Sequence, residues 1–76
     1  MPDLAMELRH LAQADRHILE GERRLLALEG AIARAAVLRM NTNEANVTLG
    51  LVADGLTVCK AHRLMILQAI EDIDRR

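Results

Sequence analysis

The sequence predicts an all-α fold, an antiparallel two-helix coiled-coil hairpin that dimerises into a four-helix bundle. Three observations lead there. Apolar residues recur at alternating spacings of three and four through both halves of the chain. A single polar break, "RMNTNE", separates those halves. The apolar vocabulary is Leu, Ile, Val, Ala and Met, with no Phe, Tyr or Trp, which suits one helix packing closely on another.

Seventy-six residues allow one domain, here a single hairpin over 1–76. A chain this short buries a smaller share of its surface than a long one does, so it needs regular packing, self-association or a covalent staple. Cys59 is the only cysteine, which excludes an internal disulfide, and no CxxC spacing points to a zinc ribbon. A lone thiol fits a reducing compartment. "MPDLAMELRH" lacks the basic-then-apolar form of a secretory signal, and no apolar run approaches the ~18 residues of a membrane span. The expected location is the cytoplasm, with no membrane contact.

The first helix is expected over about 3–38, starting at Asp3, a good N-cap behind Pro2. Asn41, Thr42 and Asn43 are turn and cap residues, which places the turn at about 39–43. Glu44 favours the positive end of a second helix over about 44–74.

In the first helix Leu11, Ala14, Ile18, Gly21, Leu25, Leu28, Ile32 and Ala35 form a heptad seam. In the second the seam is Ala45, Leu49, Val52, Leu56, Cys59, Arg63, Ile66, Ile70 and Ile73. Folding the chain back at Asn-Thr-Asn pairs Ala35 with Leu49, Ile32 with Val52, Leu28 with Leu56 and Leu25 with Cys59. Farther out it pairs Gly21 with Arg63, Ile18 with Ile66, Ala14 with Ile70 and Leu11 with Ile73. The guanidinium within the seam is then expected to use the space left by Gly21, its head reaching Glu20 or Glu22. Such a polar layer fixes register at some cost in stability.

Outside the seam, Leu51, Val58 and Met65 recur every seven residues beside a slimmer row of Thr48, Gly55, His62 and Ala69. A glycine inside a helix costs up to ~1 kcal/mol relative to alanine, and close approach of another backbone is one reason to accept it. Leu64 and Leu67 extend this apolar surface, and Leu19 and Leu26 add a smaller one on the first helix. A hairpin cannot cover these stripes alone. A homodimer centred on Leu51, Gly55, Val58, His62 and Met65 is the expected resolution, with an unidentified helical partner as the rival. Whether the two hairpins run parallel or antiparallel is left open.

Candidate chemistry is sparse. Cys59 and His62 form Cys-x-x-His on one helix face, and two such pairs in a dimer are a weak candidate for a zinc-bridged sensor. His10 and His17, seven residues apart, lie about 10 Å apart along a helix, too far for one metal ion. No Ser, Thr or Cys falls beside a His with an orienting acid, so no enzyme and no cofactor are expected. Arg9, Arg16 and Arg23 repeat every seven residues and are joined by Arg24. This strip suits an acidic partner or a phosphate backbone. A regulatory nucleic-acid binder is ranked lower, because net charge is only −1 and no aromatic ring is present for base stacking.

At "ADRHILEGERR", residues 14–24, and at "AHRLMIL", residues 61–67, the chain resembles short uncharacterised alpha-proteobacterial proteins. They share an Ala-Asp-Arg-His-Ile, Glu-Gly-Glu-Arg-Arg segment, a turn and a later His-Arg pair. The resemblance implies a small helical protein and supplies no activity. "MNTNEANVTLGLVADGLTVC" is more apolar and richer in glycine than the charged turn and second helix of such proteins. The expected function is a non-enzymatic interaction or scaffolding module.

Overall fold

The computed structural model describes residues 3–76. Two helices account for nearly all of them, α1 from Leu4 to Val37 and α2 from Asn43 to Asp74. They run antiparallel against one another as a rod of 59 × 14 × 14 Å.

Local chemistry sets each end. Asp3 has extended backbone and its side chain accepts a hydrogen bond from the Ala5 amide at 3.2 Å, satisfying one of the orphan donors of the first turn. At the other end α1 stops in a Schellman turn. The Arg39 amide donates to the Ala36 carbonyl and the Met40 amide to the Ala35 carbonyl, both at 3.0 Å. That closure requires a left-handed residue, and Arg39 takes the position with φ 57°. Glycine usually sits there, because a side chain in this conformation crowds the following carbonyl.

The chain then enters α2 through Asn41, whose side-chain oxygen accepts from the Asn43 amide at 2.9 Å. Thr42 is the N-cap by position. Its carbonyl accepts from the Asn46 amide at 2.8 Å and its hydroxyl from the Asn46 side chain at 3.2 Å. Glu44 lies in the first turn, at the positive end of the helix dipole. At the far end Arg75 pairs with Glu71 and Asp72, tying down the last turn.

Both seams face inward. Every residue in the two heptad rows is buried or half-buried, with Ala14, Leu56 and Ile66 the most enclosed at 6%, 8% and 5% exposure. No described side chain buries a polar atom without a partner.

The mutual register is displaced from the sequence expectation. A Cβ built on Gly21 would lie 3.1 Å from Leu56 Cδ1, so Leu56 fills the slot opposite Gly21 and Arg63 does not. Arg63 reaches Asp15 instead, its Nε donating to the carboxylate. Lys60 pairs with Glu22 at 3.9 Å. The physical reason is the place of chain reversal. The Schellman turn ends α1 at Leu38, ahead of the Asn-Thr-Asn segment taken as the fold centre. Moving a reversal point displaces facing residues by twice that distance, and a slip along a three-and-four pattern still sets one seam against another. The polar layer of Gly21, Arg63, Glu20 and Glu22 is therefore corrected. Leu56 occupies the glycine slot, and the cross-helix ion pairs are Asp15–Arg63 and Glu22–Lys60.

Candidate functional site

The hairpin has two flanks, and only one is closed by charge. Asp15, Glu22 and Glu29 line α1 on the flank where Asp15 reaches Arg63 and Glu22 reaches Lys60. Both pairs are substantially exposed to solvent, so each is worth roughly 0–1 kcal/mol in stability. Their larger effect is on register, because a slip of a heptad would separate both pairs. Leu19 and Leu26 are exposed near this flank, along with Leu64.

On the opposite flank no ion pair joins the helices among the described residues. His17, Glu20, Gly21 and Arg24 of α1 meet Thr48, Leu51, Gly55 and Cys59 of α2 along one open groove. Farther from the turn, His10, Gln13 and His17 meet His62 around Ala14. The gathering of His62 with His10 and His17 was not legible in the sequence, because it depends on register. Their spacing along a groove does not amount to a metal site. Among the described residues no three of His, Cys, Asp and Glu are grouped to hold an ion. Cys59 and His62 diverge as well, the thiol lying half-buried in the seam while the imidazole stays exposed at the rim.

Beside this groove runs the outer row of α2. Leu51 and Val58 are each 67% exposed and Met65 is 70% exposed, so none contributes to the hairpin core. Nothing lies within 4 Å of the point where a Gly55 Cβ would stand. The chain itself therefore makes no use of that glycine, unlike Gly21, which Leu56 fills. Gly50, on the other side of the helix, is equally open, and nothing in the structure explains it.

The hairpin exposes 5952 Å², against about 4,650 Å² for a compact monomer of 8.5 kDa, an excess that follows from its rod shape.

Arg9, Arg16, Arg23 and Arg24 are exposed, and among the described residues none of them forms an ion pair. Arg9, Arg16 and Arg23 occupy the back of α1, away from the seam. No described helix is long and apolar enough to cross a membrane. No family model, curated protein or solved structure matches the chain. The functional reading accordingly rests on the physical character of these surfaces.

Proposed function

We propose that this chain is a non-enzymatic, cytoplasmic interaction or scaffolding module that works by pairing with a second copy of itself as a four-helix bundle. The observation that carries the reading is the regular row of Leu51, Val58 and Met65, each exposed by two-thirds or more. Single exposed leucines are ordinary, whereas a continuous apolar row on a helix is the pattern by which bundles pack. Supporting it, Leu51 also borders an open groove between the helices, so the apolar row continues into a surface that a second helix can cover. The arginines on the back of α1 stay free in such a bundle and provide the surface for any further, acidic partner.

The test is absolute mass in solution by size exclusion with light scattering. Concentration is read by refractive index, since the chain has neither Trp nor Tyr. The expected mass is twice 8.5 kDa. Leu51→Glu combined with Val58→Glu should return a helical species of single-chain mass. A wild-type chain that is monomeric at working concentrations would overturn the reading, as would a double variant of unchanged mass.

A further inference from the structure

We draw no further inference here: the strongest candidate, the exposed apolar row of Leu51, Val58 and Met65 on the outer face of α2 with the open groove beside it, carries nothing beyond the self-association already proposed, because nothing in the structure shows what covers it or in which direction.

Discussion

The inner and outer rows of α2 are built from similar residues on the same seven-residue repeat, yet they meet opposite fates. Leu56, on the inner row, is 8% exposed against Gly21, and Leu51, barely more than a turn away on the outer row, is 67% exposed at the rim of an open groove. Periodicity selects residues that want a neighbour, and the hairpin provides only one neighbouring helix. The difference teaches that a two-helix chain can satisfy one stripe alone, so a second stripe on the same helix addresses something outside the chain.

The most direct way to break the comparison is to truncate one residue of each row. Leu56→Ala should cost about 2–3 kcal/mol, since it removes a buried side chain and leaves the Gly21 slot empty. Leu51→Ala should change the stability of the dilute, separated hairpin by no more than about 0.5 kcal/mol while weakening the dimer. Urea titrations followed by circular dichroism, at low and high protein concentration, separate the two effects. Equal losses in the dilute samples would mean that the two rows do not differ in the way described.

A smaller effect sharpens the account of register, which decides which residues meet within the inner row. Arg39→Gly relieves a left-handed residue at the Schellman turn and should raise stability by about 0.5–1 kcal/mol, read as a higher urea midpoint at unchanged slope. A lower midpoint would show that the arginine side chain supports the turn by more than its backbone conformation costs. The smallest change is expected from Arg63→Leu. It exchanges an exposed ion pair with Asp15 for additional apolar surface at the seam, so stability should stay within about 1 kcal/mol of wild type. Its salt dependence should also diminish when melting is compared at low and high ionic strength. A much larger loss would mean that the Asp15–Arg63 pair holds the register on its own.

What was legible in the sequence follows from what heptads encode. The two faces that meet were readable, because burial imposes the three-and-four spacing and each residue of both rows turned inward. The N-cap at Asp3 was readable too, because a short acceptor ahead of a helix has a local chemical job. Register was not. A seam slipped by seven residues still presents a seam, so periodicity cannot tell Leu28 from Gly21 as the neighbour of Leu56. The signal that distinguishes them is a non-glycine residue in a glycine conformation at Arg39, and no local pattern in "LRMNTN" announces it. The grouping of His10, His17 and His62 was hidden for the same reason, since it appears only once the helices are set side by side.

The most enclosed residues lie away from the chain reversal, Leu56 near the middle of the rod and Ala14 and Ile66 beyond it. The seam residues at both ends, Ile32, Ala35 and Ala45 beside the reversal and Leu11, Ile70 and Ile73 at the open end, are only half-buried. The clasp is therefore not at the hinge. Residues 38–42 tether the two helices and set which residues meet, while the tightest contact between them begins about four turns of helix away. In that sense the molecule resembles a strap folded at one end and fastened along its middle.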